Sequence, residues 1–411
     1  MGGRPGGRPR RGGDREAPRR GDGRAGGPRG GVAVSPRPAR RVAGLRRTLI
    51  REIFESAPPD AVNLGLGEPD VDPPEGLRRA LAEEARRGPA GYGPTAGCPE
   101  LRERIASLYP GFAGGAGDVV VTAGAQQAMF AVIGALADPG DEVLVPDPGF
   151  PGAARAAAAW GAVPRSYPLD PGRRFHLEAE AVLRLAGPRT RAIVVISPAN
   201  PTGVVEPAPE LERLMEGAAE RGIAVVLDDV YAELCWVGNG RAPGPPPRPE
   251  RAVVAVGGLS KAAAIPGWRV GWAVCPDREF TSRLVAIQQT VLTCAPVPTQ
   301  RAAAAYLAEE RDALAGVRET YRRRAALLSE RLQRAGIRHA PLEGGFYAWL
   351  DASAAGGGMA VARRLLERDR IVVIPGEAFG PSGKDWIRVS YAQPLPRLLD
   401  AFDAVLAALR G

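Results

Sequence analysis

Short apolar runs alternate with Ala-, Leu- and Arg-rich stretches through the middle of the chain, and this alternation constrains the fold more than any other feature. The runs are apolar throughout rather than at every second residue, which predicts strands buried on both faces. Six strands are predicted: Val119–Thr122, Glu142–Val145, Ala192–Ser197, Ala224–Asp228, Ala252–Val256 and Val270–Val274. Helices are predicted at 124–137, 151–160, 178–186 and 207–221. Strands separated by helices indicate an α/β fold with a mainly parallel sheet.

The C-terminal part of the chain follows a different pattern. Residues 299–335 predict one long helix, because Leu, Tyr and Val recur at intervals of three and four. Beyond it, strands near 346–350, 371–374 and 386–390 predict a smaller α+β domain. Upstream of the first strand, Leu45, Leu49, Ile50 and Ile53 would share one helical face.

The positive charge of the chain is concentrated in residues 1–41. The whole chain has a formal charge of +8, and this Gly/Arg/Pro-rich segment has twelve arginines and three acids, which leaves 42–411 at −1. The segment has almost no large apolar residue to bury, so we expect it to be disordered. Its two Arg-Gly-Gly triplets are typical of RNA-contacting segments, but no aromatic residue is interleaved with them. A neutral remainder excludes a basic nucleic-acid-binding core, so no nucleic-acid partner is predicted.

Several other classes of protein are disfavoured by composition. No apolar run approaches the ~18 residues of a membrane span, and no secretory h-region is visible, so we expect a cytoplasmic protein with no membrane partner. Four scattered cysteines without a C-x-x-C spacing predict neither a disulfide framework nor a zinc site. With two histidines, His176 and His339, neither a His-based metal centre nor a Ser-His-Asp triad is expected.

Four segments carry unusual residues just after, or within, predicted strands. They are Ser197-Pro-Ala-Asn-Pro-Thr-Gly203, Asp228-Asp-Val-Tyr231, Gly257-Gly-Leu-Ser-Lys261 with its continuation Ala-Ala-Ala-Ile-Pro-Gly-Trp-Arg269-Val-Gly-Trp272, and Trp386-Ile-Arg388-Val-Ser390. In open parallel sheets, ligands bind outside the carboxyl ends of the strands. Burial lowers the pKa of a lysine, and a desolvated lysine amine is what a Schiff base with a carbonyl cofactor requires. A carboxylate on a neighbouring strand suits the pyridinium nitrogen of pyridoxal phosphate.

Residues from about Val62 to Ala392 resemble the fold-type I, class I/II aminotransferases, the aspartate/aromatic aminotransferase superfamily. N-P-T-G, D-x-x-Y and K-x7-R occur together and in order, and the lysine segment is similar to the tyrosine-aminotransferase-like version. The resemblance implies a large domain with a mainly parallel seven-stranded sheet and a smaller α+β domain. The predicted organisation is a disordered extension (1–41), an N-terminal segment of the small domain (42–90), a large cofactor-binding domain (91–298) and a small C-terminal domain (299–411).

The resemblance also implies roles for single residues around pyridoxal phosphate. Lys261 would form the Schiff base with the cofactor and move the substrate proton, and Asp228 would keep the ring nitrogen protonated. Asn200 and Tyr231 would contact the ring oxygen. The phosphate would be bound by Arg269 and by the backbone of Gly124, Ala125 and Gln126, while Phe150 would stack on the ring.

Further roles concern the substrate and a second subunit. Arg388 would bind the substrate α-carboxylate, with contacts from Gly67 and Asn200. Tyr92 would reach the neighbouring active site of a homodimer. Many relatives carry a hydroxyl three residues before the lysine, whereas Gly258 stands there in this chain and Ser260 lies next to Lys261. Phosphate binding is therefore expected to depend more on Arg269, the backbone loop and Tyr92.

The predicted function is ping-pong transfer of an amino group from an L-amino acid to a 2-oxo acid. A β-eliminating lyase or a synthase on the same scaffold is the alternative, since the motifs do not separate these reactions. A regulator of this fold would need an N-terminal DNA-binding domain, for which 41 residues are too few, and an inactive binding protein would not be expected to keep Lys261, Asp228 and Arg388. No second arginine can be placed against a side-chain carboxylate, so strict dicarboxylate specificity is not predicted.

Overall fold

The apolar runs of the sequence meet in one large sheet. The computed structural model describes residues 36–87, 91–246, 252–309 and 313–410. Within these ranges the strands are, in chain order, β1 (Val62–Asn63), β2 (Val119–Thr122), β3 (Glu142–Asp147), β4 (Val163–Pro168), β5 (Thr190–Ile196), β6 (Ala224–Asp228), β7 (Val253–Gly258), β8 (Gly271–Val274), β9 (Tyr347–Asp351), β10 (Ile371–Val372), β11 (Ile374–Pro375) and β12 (Trp386–Ser390).

The helices occupy the segments between and after these strands. In chain order they are α1 (Arg40–Ala43), α2 (Leu49–Ser56), α3 (Glu75–Arg86), α4 (Pro99–Ala106), α5 (Ala125–Leu136), α6 (Gly152–Trp160), α7 (Ala179–Leu185), α8 (Ala208–Ala219), α9 (Arg278–Leu292), α10 (Val297–Glu309), α11 (Ala313–Ala335), α12 (Gly358–Arg364) and α13 (Leu395–Arg410). Local signals set several ends: the Asp277 side chain accepts from the Phe280 amide at the start of α9, and Gly161 ends α6 in the left-handed region.

Seven strands form the large sheet in the order β2-β8-β7-β6-β5-β3-β4. All neighbours are parallel except β8, which is antiparallel to both β2 and β7. Both faces of the sheet are covered. Along β6, Val225 and Leu227 pack into one apolar core cluster and Val226 packs into another on the opposite face. The prediction of an α/β fold with a mainly parallel seven-stranded sheet is confirmed.

The sequence predicted six of these seven strands and missed β4. Five of the six residues of β4 are exposed, and two of them are prolines, so no apolar run marks it. Tyr167 is its single buried residue, and the Tyr167 hydroxyl donates to the Val194 carbonyl at 2.8 Å. Pairing with β3 at the edge of the sheet, rather than hydrophobicity, makes this segment a strand.

The C-terminal residues build a second sheet with its own core. β9, β11 and β12 form an antiparallel sheet in the order β11-β12-β9, and α11 and α13 contribute to the same apolar cluster. The described residues of the single helix predicted over 299–335 lie in α10 and α11, with 310–312 outside the described ranges. α10 packs on α3 and α4, and its Ala302, Ala303 and Tyr306 belong to the core of the large sheet. The domain limits at 90 and 298 remain predictions.

The chain divides at Ala39 into two units. In the first unit the structure describes residues 36–39, which form neither helix nor strand, so the predicted disorder of 1–41 falls mostly outside the described residues. All elements named above belong to the second unit. None of the described helices is long and apolar enough to cross a membrane.

A nearly buried ion pair ties the segment after β1 to α11. The Arg324 guanidinium donates to both carboxylate oxygens of Asp70, at 2.6 and 2.9 Å, and to the Tyr391 carbonyl at 3.1 Å. The Tyr321 hydroxyl also donates to Asp70, at 3.1 Å. The Arg324 side chain is 9% exposed to solvent and the Asp70 side chain is 12% exposed. This network fixes the residues that follow Gly67.

We expect Asp70→Asn to lower the free energy of unfolding by about 3 kcal/mol, because it leaves a desolvated guanidinium without its counter-charge. Urea unfolding followed by circular dichroism measures the change. Glu330→Gln on α11, the helix that carries Arg324, is the matched control. It breaks the exposed Arg334–Glu330 pair and should lower the free energy of unfolding by less than about 0.5 kcal/mol. Equal losses in the two variants would contradict the role given to Asp70.

Candidate active site

A cavity of about 350 Å³ opens at the carboxyl ends of β5 and β6. Most of the residues singled out in the sequence line it: Gly67, Ala125, Gln126, Phe150, Asn200, Asp228, Tyr231, Lys261, Arg269 and Arg388. Gly124 lies directly behind the Arg269 guanidinium. Tyr92 is the exception, since it does not line this cavity and its side chain is 90% exposed. The parallel strands end at one edge of the sheet and bring Asn200, Asp228 and Lys261 together there, while Gly67 and Arg388 come from segments outside that sheet.

Lys261 follows β7 and extends into this cavity. Its Nζ donates to the Gly67 carbonyl at 2.6 Å. Burial lowers the pKa of Lys261 to about 8, while the nearby Glu68 carboxylate acts in the opposite direction. A substantial fraction of the amine is consequently neutral near physiological pH, as a nucleophile toward a carbonyl requires.

Asp228 ends β6 and is the acidic residue among those that line the cavity. Burial raises the pKa of its carboxyl group to about 7. The Val230 amide donates to Oδ1 at 3.3 Å, which favours the ionised form only weakly. A protonated partner would stabilise the ionised carboxylate in this environment, because an adjacent positive charge offsets the free-energy cost of desolvation.

The neighbouring Asp229 points into a different environment. It accepts from the Tyr109 hydroxyl at 2.9 and 3.1 Å, and that hydroxyl accepts in turn from the Trp272 indole at 2.9 Å. Asp229 does not line the cavity. The two adjacent aspartates thus have separate roles, one toward the cavity and one toward the core.

Arg269 and the start of α5 form an anion-binding corner. The Arg269 guanidinium donates to the Pro266 and Ala123 carbonyls at 2.7 and 2.9 Å, which holds it at the N-terminus of the twelve-residue helix. A Cβ on Gly124 would lie 2.3 Å from Nη2, and the backbone of Gly124 is in the positive-φ region, so glycine is required there. Free helix amides and a guanidinium together suit a phosphate group.

Arg388 is fully buried at 1% exposure, in the middle of β12. Its guanidinium donates to Asn200 Oδ1 at 2.9 Å and to the Gly65 carbonyl, and it lies between the rings of Tyr347 and Phe379, at 4.3 and 4.7 Å. Nε is buried and has no hydrogen-bond partner. No carboxylate among the described residues neutralises this cation, so the site is prepared for an anion from outside.

Tyr231 and Tyr347 form a pair of buried hydroxyls on the cavity wall, 2.8 Å apart. A Cβ on Gly67 would lie 2.0 Å from the Tyr347 hydroxyl, which explains the glycine at that position. Tyr347 was not singled out from the sequence. The Gly-Gly-Phe-Tyr run before β9 is a weak signal for it, because closely spaced glycines mark a close approach of the backbone to another group.

The residues of α2 that line the cavity were also missed as site residues. Thr48, Ile50, Arg51 and Phe54 form part of the wall. The sequence pattern predicted a helix with an apolar face here, yet no residue of α2 is buried. Ile50 and Ile53 pack only partly on the core, since one side of this helix covers an open cavity instead.

The structure also shows where Phe150 and Gly258 lie. Phe150 lines the cavity and is 37% exposed. Gly258 ends β7, and a Cβ there would lie 3.0 Å from the Val270 carbonyl, whereas Ser260 lines the cavity beside Lys261. The stacking role of Phe150 and the roles assigned to all the other site residues remain predictions.

This arrangement combines four chemical functions in one cavity: a nucleophilic amine, a buried carboxyl group, an anion corner at a helix N-terminus and a buried guanidinium. The amine can bind a carbonyl carbon, and the carboxyl group can pair with a protonated ring nitrogen. The two cationic sites can hold a phosphate and a carboxylate.

The chain is similar in sequence and in fold to known aminotransferases. A model of the family "Aminotransferase class I and II" matches residues 59–402. An aspartate aminotransferase of Pyrococcus horikoshii is 31% identical over 382 residues, which cover 91% of this chain and 97% of that protein. An arginine–pyruvate transaminase of Pseudomonas aeruginosa is 36% identical over 340 residues, covering 81% and 86%. The crystal structure of aspartate aminotransferase from Thermus thermophilus with maleate superposes with a TM-score of 0.84 at 31% identity, covering 91% of this chain and 100% of that one.

Proposed function

The chain belongs to the aminotransferases of class I and II, and on that premise we propose that it transfers the amino group of an L-amino acid to a 2-oxo acid with pyridoxal phosphate as cofactor. The observation that carries the proposal is the position of Lys261, whose amine shares one cavity with the carboxyl group of Asp228 and the guanidinium of Arg388. Burial lowers the pKa of Lys261 to about 8, and within the described part of the chain its amine has one hydrogen-bond acceptor, the Gly67 carbonyl.

The residues of the cavity fit pyridoxal phosphate. The phosphate would lie at the corner formed by Arg269 and the amides of α5, where the space in front of Gly124 is too small for a Cβ. Asp228 would pair with the ring nitrogen, and Asn200 and Tyr231 would lie beside the ring. When bound, this cofactor supplies an electron sink that lowers the cost of removing a proton from the substrate Cα.

Each of the chain's own residues then has a defined task. Arg388 binds the substrate α-carboxylate through its unpartnered Nε, and the Tyr347 and Phe379 rings keep its guanidinium plane fixed. The Lys261 amine, once free, would accept the proton from the substrate Cα and give it up again within the cavity, so that it acts first as general base and then as general acid. Lys261 and Asp228 are desolvated at this depth of the cavity, which lowers the pKa of the amine and raises the pKa of the carboxyl group.

The proposed enzyme is a homodimer in which Tyr92 completes the site of the partner. Its side chain is almost fully exposed within this chain, although a large aromatic residue usually contributes to a contact. Gly91 and Tyr92 directly precede the segment that leads into α4, so Tyr92 lies on a loop able to reach outward. The partner's phosphate corner is the acceptor we propose for its hydroxyl.

The first experiment tests the attachment of the cofactor. Purified protein loaded with pyridoxal phosphate should absorb light near the boundary between the ultraviolet and the visible. Reduction with borohydride should then fix the cofactor covalently. Since the chain has two lysines, Lys261 and Lys384, peptide mapping assigns the site unambiguously. We expect labelling of Lys261 alone, with cofactor-free protein reacting half-maximally near pH 8 because only the neutral amine attacks. Equal labelling of Lys384 would contradict the proposal, and Lys384→Arg is the control that should label as wild type.

A second assay separates amino-group transfer from elimination. The loaded enzyme is given an amino acid without any 2-oxo acid acceptor. We expect one stoichiometric half-reaction that stops, because the amino group stays on the cofactor. Continuous release of ammonia would instead identify the lyase alternative.

A further inference from the structure

The cavity contains one cation that the proposed function does not use. Its charged lining residues are Arg51, Asp228, Lys261, Arg269 and Arg388. Arg269 is assigned to the phosphate, Arg388 to the α-carboxylate, and Lys261 and Asp228 to the cofactor. Arg51, contributed by α2, remains without a task.

The guanidinium of Arg51 is only partly engaged within the protein. Its Nε donates to Glu55 Oε1 at 2.7 Å, and its central carbon lies 5.3 Å from the centre of the Phe54 ring. Among the described residues, its two terminal nitrogens have no hydrogen-bond partner. Two or more donors are thus available to a ligand in the cavity.

Glu55 does not cancel the charge at this place. The same carboxylate also pairs with Arg47, so one acid serves two guanidinium groups and the cluster keeps a net positive charge. The hydrogen bond from Arg51 holds the pKa of Glu55 below its usual value, and the cluster therefore stays ionised. Ion pairs this exposed are weak, so an incoming carboxylate can share Arg51 at small cost.

Part of the cavity wall is apolar. Ile50 and Phe54 lie on the same helix as Arg51, and Leu66 and Phe150 line the same cavity. Methylene groups would pack on these side chains, and a terminal carboxylate would meet the guanidinium. An L-amino acid with a short aliphatic side chain that ends in a carboxylate satisfies both features, as would the corresponding 2-oxo acid.

We propose that Arg51 on α2 is the specificity-determining residue that binds the side-chain carboxylate of an acidic amino-acid substrate. This inference rests on the proposed function and adds a residue that the sequence did not single out, since no second arginine could be placed against a side-chain carboxylate from sequence alone. The contact is separate from the α-carboxylate site, because Arg388 lies on β12 and is buried whereas 60% of the Arg51 side chain is exposed.

The decisive variants are Arg51→Gln and Arg47→Gln. Both remove one guanidinium from the Glu55 carboxylate, but only Arg51 lines the cavity. We expect R51Q to lower kcat/KM for L-aspartate and L-glutamate about tenfold or more, since a charge-assisted hydrogen bond is lost at a partly exposed site. The change for L-leucine should be several times smaller. R47Q should keep the wild-type ratio between acidic and apolar donors, and R51K should restore part of the preference.

Binding without turnover gives an independent readout. Succinate and butyrate have the same chain length and differ by one carboxylate, so calorimetric titration of the loaded enzyme with each isolates the second charge. Wild type should bind succinate more tightly, with the advantage shrinking as salt is raised, and R51Q should lose that advantage. Equal losses for all donors in R51Q, or an unchanged succinate advantage, would overturn the inference.

The outcomes also separate this inference from the proposed function. If wild type uses L-leucine but neither acidic donor, the assignment of Arg51 is wrong while the aminotransferase stands. If wild type transfers an amino group from no donor, the proposed function fails, and the succinate–butyrate comparison still decides whether Arg51 binds a second carboxylate.

Discussion

Lys261→Ala should reduce amino-group transfer at least ~10³-fold, the largest effect expected of any single substitution in this chain. The substitution removes both the amine that holds the cofactor and the base that moves the substrate proton. It also removes the hydrogen bond from Nζ to the Gly67 carbonyl, which remains on the cavity wall. Steady-state rates with a panel of donors, measured on protein whose fold is checked by circular dichroism, give the result.

Lys384→Ala is the matched control for that experiment. Lys384 is the other lysine of the chain and does not line the cavity. It should retain wild-type rates and wild-type labelling by borohydride. Turnover by K261A within threefold of wild type would show that another group performs the chemistry.

Asp228→Asn should lower kcat/KM about 100- to 1,000-fold, because a preorganised negative charge is lost from a desolvated position. Asparagine has nearly the same shape and can accept a hydrogen bond, but it cannot favour a protonated ring nitrogen. Retention of pyridoxal phosphate after dialysis should fall in parallel. Asp229→Asn is the comparison: it alters the adjacent buried carboxylate, which bonds Tyr109 away from the cavity, so it should reduce stability more than the turnover of folded enzyme.

The cofactor-free protein offers a second readout for Asp228 that does not involve activity. Burial raises the pKa of this carboxyl group from 3.8 to about 7, so between these values the folded state binds more protons than the unfolded state. Its contribution to the free energy of unfolding is therefore present below pH 4 and lost as pH rises toward 7. D228N should reduce this slope in urea unfolding measured across that range, and the remainder should include the contribution of Asp229, whose pKa burial raises to about 6. An unchanged slope would contradict the burial of an ionisable group at position 228.

The sequence predicted the large sheet well where hydrophobicity marks the strands. β2 and β6 have the predicted bounds, because both faces of each strand are buried and every residue in the run is apolar up to the last. β4 was missed because it lies at an edge, where hydrogen bonding to β3 stabilises a polar segment. Pairing of this kind depends on the neighbouring strand rather than on the hydrophobicity of the segment, so the pattern within β4 does not mark it as a strand.

The residues of the site likewise fall into those that the sequence pattern marks and those that it does not mark. Lys261, Asp228, Arg269 and Arg388 could be singled out because polar residues at the ends of apolar runs have no place in a core and because their spacing resembles a known family. Tyr347 and Arg51 could not. Tyr347 lies in an apolar strand where a tyrosine is ordinary, and Arg51 lies on a short helix where an exposed arginine is ordinary.

Local patterns of hydrophobicity and the spacing of the motifs were enough to predict the fold class and to single out the amine, carboxyl and guanidinium groups that line the cavity. Which helix covers the cavity could be seen only in the folded chain. α2 carries an apolar face that would suit a core, and its packing over an open cavity, rather than its composition, makes Arg51 a candidate ligand. The physical reason is that burial and proximity are properties of the folded chain, set by segments that are far apart in sequence.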